Sequence, residues 1–161
     1  MKLGRTGLEV GRLGMAASYG VPMAAFERGV NYLYWGTLRR DAFAQAIRNL
    51  APRRDRMVVV VQSYSRVAGL VGWSLERALR KLRLDQTDIL LARHLALSTH
   101  HRPLAAQLAS DERFGALHVR YNAEHPGAER DVFPLLPAIN RPGIVSFTAT
   151  LPPVVRSKST T

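Results

Sequence analysis

Short apolar runs rich in β-branched residues alternate with amphipathic stretches along most of the chain. The short runs fall at 13–17, 30–35, 57–62, 87–92, 94–98, 116–121 and 143–148, each bounded by turn residues and of strand length. Between them the apolar spacing lengthens to that of a helix face at 22–28, 40–50, 74–84, 101–109 and about 127–136. Phe43, Ala46, Ile47 and Leu50 share one face of 40–50, and Leu75, Ala78, Leu79 and Leu82 share one face of 74–84. On the latter, Arg77, Arg80, Lys81 and Arg83 fall toward solvent, Ser74 is placed as N-cap and Glu76 sits in the positively polarised first turn. This rhythm predicts an α/β fold of parallel βα units, preceded by a small hairpin in LGRTGLEVGRLG.

Two places break the rhythm. Parallel neighbours need a crossover of about a dozen residues, yet ILLA at 89–92 runs almost directly into HLALST at 94–99. Either these form one long segment or a helix between two strands is absent. After GIVSFTAT, Pro152 and Pro153 lead into VVRSKSTT, which has no apolar periodicity. One domain over 1–150 and a disordered polar tail over 151–161 are therefore expected.

The chain has 161 residues, 47% of them hydrophobic, enough for one substantial core. It lacks cysteine, which excludes disulfide scaffolds, thiol nucleophiles and thiolate metal sites. Twenty-three basic residues against 12 acidic give a formal charge of +11, a field that attracts anionic partners without identifying one. The opening lacks an unbroken apolar segment and no run approaches a membrane span, so neither a secretory signal nor a membrane partner is expected, and a cytoplasmic location is. Arg53, Arg54 and Arg56, with the arginines of 74–84, make a basic surface of the ordinary solvated kind, and nucleic acid is not expected as a partner. His100 and His101 are adjacent and point apart in an extended segment, so no metal site is assigned. The early glycines do not form a dinucleotide fingerprint after a strand.

Taken in order, LGRTGLEVGRLGM, AFERGVNYLYWG, SLERALRKLRLDQTDILL, HVRYN and RPGIVSFTA resemble successive stretches of the aldo/keto reductase family across residues 2–150. That resemblance implies a TIM-type (β/α)8 barrel, here incomplete, with about seven parallel strands, one inter-strand helix and the eighth strand missing. It also implies the family's NADP(H) cofactor and reduction of a small carbonyl compound.

The family's catalytic aspartate, tyrosine, lysine and histidine fall, by that resemblance, at Tyr34, Arg39, Gln62 and Arg93, so all four positions differ. Carbonyl reduction needs a proton donor and positive charge at the developing oxyanion, and Gln62 supplies no charge. Tyr34 and Tyr64 are alternative donors, Arg39 and Arg93 alternative cations, and His94 lies one position from the family's histidine place. The places that hold the nicotinamide in the family carry Ser98, Thr99, His118 and Phe147. Trp35, Trp73, Tyr34, Tyr64 and Tyr121 are candidates for a rim pocket. The expectation is an aldo/keto reductase-like protein with weak or no activity. The alternative is a non-enzymatic binding or interaction protein built on a degenerate barrel remnant that uses its open sheet edge or its rim pocket, with self-association through the open edge as one such use.

Overall fold

Alternation along each strand sends side chains to two opposite cores, and the layout of those cores defines the architecture. The structure, a computed structural model, describes residues 1–17, 23–36, 39–65, 67–91, 97–99 as backbone, and 101–147. The first half runs β1 (Gly14–Ala16), α1 (Met23–Glu27), β2 (Tyr32–Trp35), α2 (Asp41–Asn49), β3 (Val58–Gln62), α3 (Ala68–Leu82) and β4 (Ile89–Leu91). The second runs β5 (Leu97–Thr99), α4 (Arg102–Ala109), β6 (Ala116–Arg120), α5 (Ala128–Asp131) and β7 (Gly143–Phe147). Neighbours pair in parallel in the orders β1-β2-β3-β4 and β5-β6-β7. This is the partial, wound α/β wall that the sequence rhythm predicts.

One core lies inside the wall. Tyr32, Val58, Val60, Ile89, Leu91 and Ala116 meet there, with Tyr34 and Val145 packed against them. Leu3 and Val10 of the opening segment join this core, so that segment plugs the end from which the strands start. It is hairpin-like, with an antiparallel bridge between Lys2 and Glu9. A second bridge joins Gly4 to Pro142. Gly4 has φ +49, and a Cβ there would lie 2.1 Å from the Gly143 nitrogen; only glycine permits this approach. Asn31 ties the plug to the strands, accepting from Gly11 N–H at 2.9 Å and donating to the carbonyls of Glu9 and Arg56.

The outer faces of the strands form two further cores under the helices. Leu33, Trp35, Val59 and Val61 pack with Phe26, Phe43, Ala44, Ile47, Ala78 and Leu82. On the other half, Leu117 and Val119 pack with Ala105, Ala109, Phe114, Ala128 and Val132. Val58 to Val61 are all buried, as a strand covered on both faces requires.

Four expectations need correction. The third helix begins at Ala68, with Val67 as N-cap, so Ser74 and Glu76 lie in its interior rather than at its start. Gly69 and Gly72 disguised this first stretch as a loop, yet Val71 N–H reaches the Val67 carbonyl at 3.0 Å and closes the turn. The helix expected over 127–136 stops at Asp131 and gives way to a 3-10 turn at Phe133–Leu135; Pro134 has no N–H with which to continue an α-helix. On the face of α2, Ala44 is buried where the periodicity favoured Ala46. Finally, the fifth strand, expected over 94–98, is described at Leu97–Thr99 and so runs one residue further than expected, with 94–96 outside the described residues. Only five residues, 92–96, separate it from β4, which is too few for a helical crossover. Those five residues, Arg93 and His94 among them, His100 and the tail over 151–161 lie outside the described residues.

Candidate functional site at the mouth of the sheet

The carboxyl ends of parallel strands in a barrel bring side chains from several strands to one mouth. Tyr34 near the end of β2, Gln62 at the end of β3, Arg120 at the end of β6 and Phe147 at the end of β7 share the interior parity. Ser98 and Thr99 of β5 are in register with His118 and Val119, and Arg120 is in register with Phe147. The strand ends therefore bring together most of the places singled out in the sequence.

Below the mouth, His118 is buried and its Nε2 lies 2.6 Å from the Tyr32 hydroxyl, joining β6 to β2 across the interior. The Tyr34 ring also stands close, 5.9 Å from the His118 ring between centroids. Burial pushes the His118 imidazolium down to about 4, so the ring is neutral near pH 7. It also pushes both phenols up: Tyr32 by burial, and Tyr34 by burial first and then by its hydrogen bond and proximity to Tyr64. Arg39 pulls the Tyr34 phenol the other way, but its effect is the smallest of those acting there.

Arg39 is fixed by the backbone, donating from Nη2 to the Gln62 carbonyl at 2.6 Å and from Nε to the Gly36 carbonyl at 3.2 Å. A Cβ at Gly36 would lie 2.2 Å from the Tyr34 ring, so any larger residue there would displace that ring. Two buried polar atoms at the mouth have no hydrogen-bond partner among the described residues, the Gln62 Oε1 acceptor and the Arg120 Nε donor. Buried polar atoms are normally satisfied by protein or water, so this pair is suited to a small polar ligand that donates and accepts.

Other candidates separate from the mouth. Trp35 points outward and packs with Phe43 at 6.2 Å between ring centroids. Trp73 lies exposed on α3 beneath Arg77, and Tyr121 donates to Glu129 on the outer face. Neither tryptophan nor Tyr121 joins a rim pocket. Of the basic group, Arg53 and Arg56 pair with Glu27, and Arg54 pairs with Asp88 at 2.8 Å. His101 caps α4, its Nδ1 accepting from Leu104 N–H. Among the described residues no three metal-ligating side chains cluster, and no helix is long and apolar enough to cross a membrane. A cavity of about 620 Å³ opens at the opposite end of the strands, lined by residues including Glu9, Asn31, Arg54, Arg56 and Asp88. Tyr32 and Arg120 were not singled out in the sequence. The two-residue spacing of Tyr32 from Tyr34, and of Arg120 from His118, is the signal that places both on the interior face.

The nicotinamide places implied by the resemblance fit only in part. Phe147 is half-buried at the end of β7, whereas His118 is buried with its Nε2 committed to Tyr32. The Nε2 of His118 is therefore not free to contact an amide.

No protein-family profile matches the sequence, and no curated protein matches it. Solved structures do match in fold. An aldo-keto reductase from Klebsiella pneumoniae in complex with NADPH superposes with a TM-score of 0.66 at 16% identity, over 90% of this chain and 66% of that one. A second from the same organism, in complex with NADP and acetate, gives 0.62 at 17%, over 89% and 66%. A protein from Pseudomonas aeruginosa assigned as an aldo-keto reductase gives 0.61 at 20%, over 89% and 75%. The chain thus spans just under two thirds of the Klebsiella proteins' length and shares their fold.

Proposed function

We propose that this chain is an aldo/keto reductase-type barrel whose mouth binds a small polar ligand, with NADPH-dependent carbonyl reduction weak or absent. The carrying observation is the state of Tyr34. A reductase needs an acid tuned toward neutrality, whereas burial and Tyr64 push this phenol up and outweigh Arg39. Gln62 stands where the resemblance expects a lysine and is neutral. NADP(H) is the cofactor class suggested by the resemblance and by the Klebsiella proteins solved with NADPH and NADP. The commitment of His118 to Tyr32 weakens the case for a family-like nicotinamide seat.

The binding reading is favoured by the unsatisfied Gln62 Oε1 and Arg120 Nε. Self-association belongs to the same reading, because β4 is paired only to β3 among the described residues and an open strand edge accepts another strand. The test is NADPH consumption with a panel of aliphatic and aromatic aldehydes and ketones. Consumption at the rate of the protein-free control is expected. Turnover in the ordinary enzymatic range, about 1 per second or more, would overturn the proposal.

A further inference from the structure

A second concave site lies on the outer side of the sheet, between the start of α2 and the middle of α3. It is a groove of about 540 Å³ lined by Trp35, Arg39, Asp41, Arg77, Arg80 and Lys81. Four cations thus face one carboxylate, and that carboxylate is already taken: Lys81 Nζ lies 2.5 Å from Asp41 Oδ1. Arg39 spends two of its donors on backbone carbonyls, and Arg77 lies over the Trp73 ring at 5.4 Å. Neither these two nor Arg80 has a carboxylate partner among the described residues.

Trp35 gives the independent indication of a ligand. It is only 1% exposed, and its indole Nε1 is buried without a hydrogen-bond partner. An indole N–H can only donate, and leaving such a donor dry and unpaired is costly. The groove is therefore lined mainly by donors, and Oδ1 of its one carboxylate, Asp41, is held by Lys81. Guanidinium groups match the oxygens of phosphate in paired geometry, and the volume is in the range of small-molecule sites.

We propose that this groove binds the phosphoryl group of a small phosphorylated molecule, with the Trp35 indole N–H donating to one phosphate oxygen and Arg39, Arg77 and Arg80 neutralising its charge. The groove opens on the outer side of the sheet and shares only Arg39 with the residues described at the mouth; its ligand does not depend on the function proposed for the mouth. The sequence contains two tryptophans, so a Trp73→Phe variant leaves Trp35 as the sole indole while keeping an aromatic face beneath Arg77.

The experiment follows the Trp35 indole N–H resonance by 15N–1H NMR in this variant. Chloride is exchanged at constant ionic strength for inorganic phosphate, for glycerol 2-phosphate or for acetate. Saturable shifts with phosphate and glycerol 2-phosphate, and a clearly weaker response to acetate, are expected. Adding Arg77→Gln and Arg80→Gln should weaken both phosphate affinities by about tenfold or more while leaving the circular dichroism melt in chloride unchanged. An indole resonance unmoved by either phosphate, an equal response to acetate, or equal affinity after loss of both arginines would overturn the proposal.

Discussion

Among the described residues, His118 is the buried titratable base of the interior. The folded state keeps its ring neutral down to about pH 4, whereas an unperturbed histidine takes up a proton near 6.5. Between these values the unfolded chain holds more protons than the folded one. The contribution of His118 to stability is thus fully present above about pH 6.5 and is lost as pH falls toward 4, by up to about 3 kcal/mol. Asp111, held at about 2 by Arg113, titrates below this window and leaves it readable. Urea unfolding at pH 7 and pH 4.5 should show the loss, and a His118→Gln variant should flatten it. Tyr32→Phe removes the hydroxyl from His118 Nε2 and leaves a buried nitrogen without its partner, at a cost of about 1–3 kcal/mol by the same measurement at pH 7.

At the scale of elements, α3 carries the clearest difference between expectation and structure. Its packed half was legible because Ala78 and Leu82 are buried at helical spacing. Its first turns were not, since Leu70 and Trp73 are exposed and give no apolar face, and two glycines interrupt them. If Gly72 is helical, as the structure has it, replacement by alanine meets no atom within 4 Å. Gly72→Ala should then stabilise the protein by about 0.5–1 kcal/mol, seen as a raised Tm; a lowered Tm would place the helix start nearer Ser74. The strands were read closely because β-branched runs such as Val58–Val61 have few other uses. The mouth was legible only as far as the family resemblance reached: it singled out Tyr34 and Gln62, but the partnership of Tyr32 with His118 spans 86 positions. No local pattern reports such a contact.

For the molecule as a whole, the interior core contains residues of both sheets, Tyr32 and Val60 from one and Ala116 and Val145 from the other. This shared core, together with the Tyr32–His118 bond, couples the two sheets in stability. Native-state hydrogen exchange should show the central amides of β3 and β6 opening with the same free energy, that of global unfolding. Separate values would mean that the halves unfold independently. The same packing that joins the halves sets the chemistry of the mouth, because burial that stabilises a neutral phenol also removes its capacity to act as an acid near neutrality.

That last point is open to direct measurement. The chain contains five tyrosines, and 13C labelling of the phenol Cζ atoms, with Tyr34→Phe and Tyr32→Phe for assignment, resolves the ionisation of each. Both interior phenols should stay protonated beyond the ordinary value of 10.0. A Tyr34 signal that ionises well below 10.0 would reveal an acid tuned for proton transfer and would contradict the assignment of a mouth that binds without reducing.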